Sequence, residues 1–581
     1  MLVRGLHEFM GNQVKLRIDE PILYPGLSLE SNLIPQLIQN SRKSLRIWVY
    51  KRRLPCVWIV FLGGTGTGKS TLFNALCGKV LSATGVERPM TSGPIAYAYA
   101  GAPVEEAFPF SDIPPMRIDA TGEHVTPAQG QSGRLLVLDH QREEWSKLVL
   151  VDTPDLDSVE EENRRMAEDL YLLSDWVLFV TSQEKYADEV PSLFLRRILG
   201  DGKSYQIILN KADASAVKED LLKTLRTQDI PVSEARVRLI PHMAAQQVER
   251  IPNHPEFQGL VNFFSQELSK TEVPRIHARS LDRQKEECEN GLSRLIDLLQ
   301  KERARATDWL SRLRSLSQSA ASELIREQTE RFTQRRGDYI RTETRRLFAR
   351  YDLLGKPRQL VKQVMLAPLR LLGLVDEGAV DPKKRALQKV REKIDLTPIQ
   401  TALQKFNRLV LEKLSPPGGE VSPLFGQLRK PGLTLSDEDV KKLVWEEQDK
   451  LDRWLGETFD SLARGLPAVK KWGIYTTSAL WGILVIAFEV IVGGGFSLVD
   501  AALDSALAPF VTKGAMELFA YNEIRKIARQ LADRYQEGLV SVLTRQEKLY
   551  EHCLYSLLPS EETMDLLRDI RSRLKKDEDP V

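Results

Sequence analysis

The stretch Gly63-Gly64-Thr65-Gly66-Thr67-Gly68-Lys69-Ser70-Thr71 follows the apolar run CVWIVFL (56–62) and leads into STLFNALCG (70–78). Gly63, Gly68, Lys69 and Ser70 satisfy the spacing G-x-x-x-x-G-K-[ST] between a strand-like run and a helical one, the context in which that spacing cradles phosphate. Glycines let the loop turn successive N–H groups inward, and the helix that follows adds its positive end. Lys69 is expected to reach the β- and γ-phosphates and Ser70 to hold magnesium, with Gly63 to Thr71 as the whole binding loop. The competing reading, a glycine-rich turn that matches by accident, is weakened by the strand before and the helix after.

Working outward, 581 residues imply several domains, and 42% hydrophobic residues suffice to build cores. Lys plus Arg, 82, nearly cancel Asp plus Glu, 80, so no global field argues for a nucleic-acid partner, and none is expected. Cys56, Cys77, Cys288 and Cys553 are too scattered for a disulfide framework or a paired metal motif, which suits a reducing compartment. The first residues lack an apolar core of signal-peptide length, so secretion is not expected.

Between about 55 and 270, short apolar runs alternate with helical ones, as in a βα-type parallel sheet. The runs are 56–62, 95–100, 148–151, 176–181, 206–209 and 236–240, with a Pro/Gly-rich segment, 101–133, read as an insertion or long loop. Upstream, 27–50 carries helical spacing. Beyond Pro274 the pattern is helical, with apolar stripes at 292–316, 382–415, 436–466 and 515–576.

Two further strand ends complete a site. LVLVDTPDLDS (148–158) ends a run with Asp152, placed to hold magnesium through water. IILNKAD (207–213) ends another, and Asn210, Lys211 and Asp213 resemble the GTPase pattern N-K-x-D. A carboxylate at Asp213 accepts from the two guanine N–H groups, which adenine lacks, and so selects GTP over ATP. Asn210 is expected to tie this loop to the phosphate loop, and the Lys211 stem to pack along the purine. Each tetrapeptide is weak evidence alone; three elements in order on three strand ends are strong. For the first switch, GVERPMTSGP (85–94) offers Thr91, with Thr84 as the alternative, to close over the γ-phosphate and magnesium.

The constellation resembles the GTPase domain of the dynamin superfamily and, more loosely, Era-like GTPases, over about residues 50–270. GGTGTGKST is similar to the dynamin-type phosphate loop, GVERPMT looks like the family's first switch, and DTPD and NKAD fill the third and fourth motif positions. The resemblance implies an α/β P-loop GTPase domain with a mostly parallel sheet, followed by a large α-helical bundle or stalk. It also implies GTP/GDP and Mg2+ as ligands and pairing of G domains into a homodimer or higher oligomer. Two departures stand out: Thr65 and Gly66 occupy positions where dynamins carry Gln-Ser, and Asp155 replaces the glycine usual after DTP. No glutamine follows to position water, so turnover is expected to be slow. Lys69, Thr65, Thr91 and the Asp155 backbone are the catalytic candidates. Lys185 and Tyr186 read as plain loop residues, with action across a dimer as the alternative.

A second informative stretch is WGIYTTSALWGILVIAFEVIVGGGFSLVDAALDSALAPFV (472–511). It is free of charge for 17 residues from Trp472 to Phe488, then carries Glu489, a break at Gly493 to Gly495, and an amphipathic return arm with Asp500 and Asp504. Two arms around a glycine turn make an apolar helical hairpin. It is read as a membrane-inserting tip anchored by Lys470, Lys471 and Trp472, with the buried centre of a helical bundle as the competing reading. Arg331 to Arg358, with nine Lys/Arg against three Asp/Glu, suits contact with anionic lipid, or a solvated helix face.

The expected organisation is an N-terminal helix packing with the stalk (1–50), a G domain (51–270), a helical stalk (271–470), the apolar hairpin (471–513) and a C-terminal stalk helix (514–581). The expected activity is GTP hydrolysis coupled to membrane binding or remodelling, in the cytoplasm at the inner face of a membrane. Two alternatives stay open: an Era-like factor in ribosome or RNA assembly, and a GTP-gated membrane scaffold with negligible turnover.

Overall fold

The structure is a computed structural model that describes residues 17–83, 93–120, 127–158, 160–184, 189–212, 215–241, 251, 253–264, 272–335, 396–464 and 518–578. The chain divides into two compact units. The first comprises residues 1–22, 33–298 and 560–581, and the second 23–32 and 299–559.

In the first unit the strands are β1 (Val57–Leu62), β2 (Ile95–Tyr99), β3 (Pro115–Ile118), β4 (Leu135–His140), β5 (Leu148–Asp152), β6 (Trp176–Ser182), β7 (Ser204–Asn210) and β8 (Val237–Ile240). They form one sheet in the order β3-β4-β2-β5-β1-β6-β7-β8. Every described pairing is parallel except β2 with β5, so the sheet is mostly parallel, as the alternating pattern predicts. β1 is buried along its whole length. Trp58, Val60 and Leu62 face one core with Leu170 and Tyr171 of α3 (Glu161–Leu173), Ile198 of α4 (Glu189–Gly200) and Leu221 of α5 (Ser215–Thr227). Val57, Ile59 and Phe61 face another, with Leu72, Phe73 and Leu76 of α2 (Lys69–Cys77) and Phe257 and Leu260 of α6 (Pro255–Asn262). Burial on both faces is why β1 reads as a continuous apolar run rather than an alternation.

The segment read as a loop from 101 to 133 contains β3, and β4 follows directly after it. β3 opens on Pro115, is short and only partly buried, and sits at the sheet edge, so it lacks the apolar run that marks an interior strand. Pairing Met116 with Leu136 and Ile118 with Leu138 supplies what its own sequence does not.

α1 (Ile34–Arg53) begins on a Pro-containing first turn and buries Ile34, Ile38, Leu45 and Trp48. Its last turn delivers Lys51, fully buried, to Asp175 at the start of β6 and to Ser280 Oγ at 3.0 Å. Asp175 also accepts from Trp58 N at 2.7 Å, and His277 Nε2 lies 3.0 Å from Lys51 O. Burial opposes ionisation of Asp175, but the Lys51 charge and the hydrogen bonds from Lys51, Ser280 and Trp58 hold its carboxyl below the usual range. Its contribution to stability is therefore present at neutral pH and is lost only as pH falls through that lowered value. Ser280 and His277 belong to α7 (Glu272–Arg335), a 64-residue helix whose first part lies in this unit.

In the second unit the later part of α7 packs with α8 (Thr397–Lys413), α9 (Pro423–Leu428), α10 (Asp437–Arg464) and α11 (Leu518–Tyr555) around Trp309, Leu313, Phe406, Val440, Leu543 and Tyr550. The helical stripe expected over 515–576 is two helices. Pro559 and Ser560 separate α11 from α12 (Glu561–Lys575), which belongs to the first unit, and the Ser560 hydroxyl caps α12 by accepting from Thr563 N at 3.1 Å. Glu302 is wholly buried on α7, and its carboxylate accepts from Gly26 N, Leu27 N and Ser28 N at 2.7, 2.7 and 2.8 Å. Among the described residues no helix is long and apolar enough to cross a membrane. Residues 465–517, which contain the expected hairpin, and 336–395, which contain most of the arginine-rich run, lie outside the described residues.

Replacing Glu302 with Ala strands three buried N–H groups and should cost about 3 kcal/mol of local stability. Hydrogen exchange should then show the amides of Gly26, Leu27 and Ser28 losing their protection.

Candidate nucleotide site

β1, β5, β6 and β7 are mutually parallel through the register Phe61↔Asp152, Leu62↔Phe179 and Ser182↔Asn210. The loops after β1, β5 and β7 therefore leave the same edge of the sheet, where ligands of open α/β sheets bind. The phosphate loop starts from the buried end of β1. A Cβ at Gly63 would stand 2.1 Å from Val180 O of β6, so only glycine fits. Gly68, just before α2, has φ of +92°, and a Cβ there would lie 2.3 Å from Asn210 Nδ2. That close approach lets Asn210 donate to Thr67 O at 2.8 Å, tying the loop after β7 to the phosphate loop. Thr67 is itself buried, with its hydroxyl donating to Gly64 O at 2.9 Å.

Lys69 is 4% exposed. Its ammonium donates to Gly63 O at 3.1 Å, Gly64 O at 3.2 Å and the Asp155 carboxylate. Thr65 N and Thr65 Oγ1 both donate to Asp157 Oδ1 at 2.6 Å. The chain between these carboxylates is pinned by Leu156 N donating to Gly63 O at 3.2 Å, and Thr153 Oγ1 donates to Phe61 O at 2.6 Å. Gly66 is exposed, and its carbonyl accepts from Lys211 Nζ at 2.8 Å. Lys211 itself adopts a left-handed backbone with φ of +58°. Ser70 and Thr71 lie half-buried in the first turn of α2.

Asp152 ends β5 with no exposure. Burial pushes its carboxyl above the usual range, against the hydrogen bonds from Ser70 and Ser82 and the charge of Lys69. Oδ2 accepts from Ser82 Oγ at 2.8 Å, whereas Oδ1 is buried with no hydrogen-bond partner. A buried, unanswered carboxylate oxygen beside the Ser70 hydroxyl at a phosphate loop is a hard-oxygen donor set that fits Mg2+. Ser70 and Asp152 would hold it, and bound there it would neutralise phosphate charge.

The structure thus brings together Gly63 to Thr71, Asp152, Asp155, Asn210 and Lys211. Asp213, Thr91, Thr84, Lys185 and Tyr186 lie outside the described residues. Two participants escaped the sequence reading. Asp157 was visible as a third aspartate in DTPDLD, but nothing local announced its partner 92 positions upstream. Ser82 carried no motif signal.

With that geometry in place, residues 59–212 match the family model described as the Dynamin family. Residues 59–212 thus carry the dynamin-family pattern that the motifs suggested, and that family is one of GTPases. An uncharacterized protein in the xynA 3' region of Caldicellulosiruptor sp. (strain Rt8B.4) is 27% identical over 226 residues, 37% of this chain and 56% of that protein. The match thus spans about half the length of that relative. Among solved structures, one of an oligomerised bacterial dynamin pair, reported to provide a mechanism for long range sensing and tethering of membranes, aligns at 14% identity. It covers 99% of each chain with a TM-score of 0.40. The bacterial dynamin GTPase LeoA from ETEC aligns at 14% identity over 89% of this chain and 98% of its own, with a TM-score of 0.25. Superpositions this loose add nothing to the fold, which rests on the sheet and its motifs.

Gly68→Ala should force Asn210 off Thr67 O and strain the backbone, a cost of about 1–3 kcal/mol. A thermal-shift measurement should show a lower melting temperature, and a nucleotide titration should show weakened binding.

Proposed function

We propose that this protein is a dynamin-like large GTPase that binds GTP with Mg2+, hydrolyses it slowly, and couples nucleotide state to membrane binding or remodelling from the cytoplasmic face. The observation that carries the reading is the convergence at one sheet edge of a phosphate loop, a buried metal-competent aspartate and an asparagine bridging to that loop. In this reading Lys69 and the N–H groups of 63–71 grip the phosphates, Ser70 and Asp152 hold the metal, and Asp213 reads the guanine edge. Thr91 closes over the γ-phosphate. Leu156 stands where a water-positioning glutamine would serve Ras-like enzymes, which supports slow turnover.

In the same reading the G domain is 51–270, the stalk 271–470 with 514–581, and the membrane tip 471–513, while the N-terminal helix that the sequence assigned to the stalk instead packs, with residues 560–581, in the unit that holds the sheet. Movement is assigned to the chain near 51–55 and 270–280. The buried contacts among Lys51, Asp175, His277 and Ser280 tie the end of α1 and the start of α7 to the sheet, so a shift of the sheet's loops has a mechanical route into α7. G domains pair in the working state. The arrangement also admits a GTP-gated scaffold with negligible turnover, a reading favoured by the Lys69–Asp155 contact. Single-turnover phosphate release with and without lipid separates the two.

Asp213→Asn should lose guanosine triphosphate and gain xanthosine triphosphate by about tenfold or more, since the amide complements the altered base edge; retention of GTP preference would place the base loop elsewhere. Separately, the protein should pellet with anionic liposomes and cease to do so when residues 474–492 are replaced by a polar linker. Unchanged pelleting would reject the membrane role while leaving the nucleotide site intact.

A further inference from the structure

We propose that Asp155 and Asp157 act together as an internal stand-in for the terminal phosphate, holding the phosphate-loop donors in the nucleotide-free protein so that a triphosphate binds only by displacing them. The inference rests on the reading of this loop as a phosphate site, and it adds an autoinhibitory contact to it.

The geometry points to competition for the same donors. An ammonium has three protons to give, and Lys69 gives all three: to Gly63 O, Gly64 O and Asp155. The two carbonyls are fixed by the loop backbone, so a phosphate reaches Lys69 by displacing the carboxylate. Asp155 is suited to leave, since its side chain is 24% exposed while that of Lys69 is 4% exposed. Thr65 presents its backbone N–H and its hydroxyl to one oxygen, Asp157 Oδ1. An anion entering the loop meets both donor sets already occupied by anions.

Charge sharpens the competition. Asp155 meets the buried Lys69 ammonium, whose charge also acts on Asp152, and Asp157 meets Thr65 in the same loop, while a triphosphate brings several more negative charges. Like charges gathered in a partly buried site repel one another more strongly than they would in open water. Nucleotide and both carboxylates cannot hold the loop together, so binding expels the 155–157 segment. The two aspartates flank Leu156, whose N–H donates to Gly63 O, so a shift that breaks that bond releases both carboxylates together. The following helix α3 begins at Glu161, so the displaced segment connects directly to the helix on one face of the sheet. The glycine that dynamins carry at position 155 has no side chain to offer Lys69, so this chain carries a nucleotide threshold that glycine could not provide.

Equilibrium titrations of the full chain with GTP, GDP and inorganic tripolyphosphate test this, comparing wild type with Asp155→Asn, Asp157→Asn, the double variant and Asp155→Glu. Asn preserves shape and removes charge, so each single variant should bind GTP and tripolyphosphate more tightly, and the double variant by about tenfold or more. GDP should gain less, because the stand-in answers for the terminal phosphate. Asp155→Glu, which keeps the charge, should stay near wild type. Equal or weaker triphosphate affinity in both Asn variants, or an equal gain for GDP, overturns the proposal. If the double variant does not fold, the single variants carry the same comparison. Tightened tripolyphosphate binding without any guanine preference would uphold the stand-in and sink the GTP reading; guanine-selective binding indifferent to both substitutions would do the reverse.

Discussion

A lysine ammonium almost fully withdrawn from water must be met by oxygen, and everything at this site follows from how Lys69 meets that demand. The residue is placed by the turn from β1 into α2, where glycines 63 and 68 permit approaches of Val180 O and Asn210 that no side chain would allow. The carbonyls of Gly63 and Gly64 answer part of the charge, and an anion must answer the rest. In a phosphate-binding loop that anion is the ligand; here a carboxylate from the loop after β5 fills the place.

The sheet makes this arrangement possible. Parallel strands β1, β5, β6 and β7 end at one edge, so loops distant in sequence meet there without any one of them being long. Asp152 pays for its buried position through bonds from Ser70 and Ser82, and still keeps one oxygen unanswered. At the opposite end of the strands, Asp175 at the start of β6 gathers Lys51, Trp58 N and Ser280. The same strands thus carry ligand chemistry at one end and the anchorage of α1 and α7 at the other.

Much of this was legible because it is local. The glycine spacing, the aspartate closing an apolar run and the N-K-x-D tetrapeptide each sit where a strand ends, and strand, loop and helix follow from neighbouring residues. Interior strands β1 and β6 announced themselves by continuous apolar runs. β3 did not, because an edge strand with a Pro start takes its order from β4 rather than from its own composition. The break between α11 and α12 was written in Pro559 and Ser560 but was overridden by a stripe that continues in phase on both sides. The pairing of Asp157 with Thr65 and of Glu302 with residues 26–28 could not be read at all. Each depends on chain segments brought together from 92 to 276 positions apart, and on side chains whose local context gives no hint of a partner.

The central claim is that the loops after β1, β5 and β7 form one ligand site whose state depends on a triphosphate. Hydrogen exchange of the wild-type chain, with and without GTP and Mg2+, tests it most directly. The account predicts that amides in 63–71 and 210–212 gain protection together while those of 155–157 change in the same nucleotide-concentration range. Protection unaltered in all three segments at saturating GTP would contradict it.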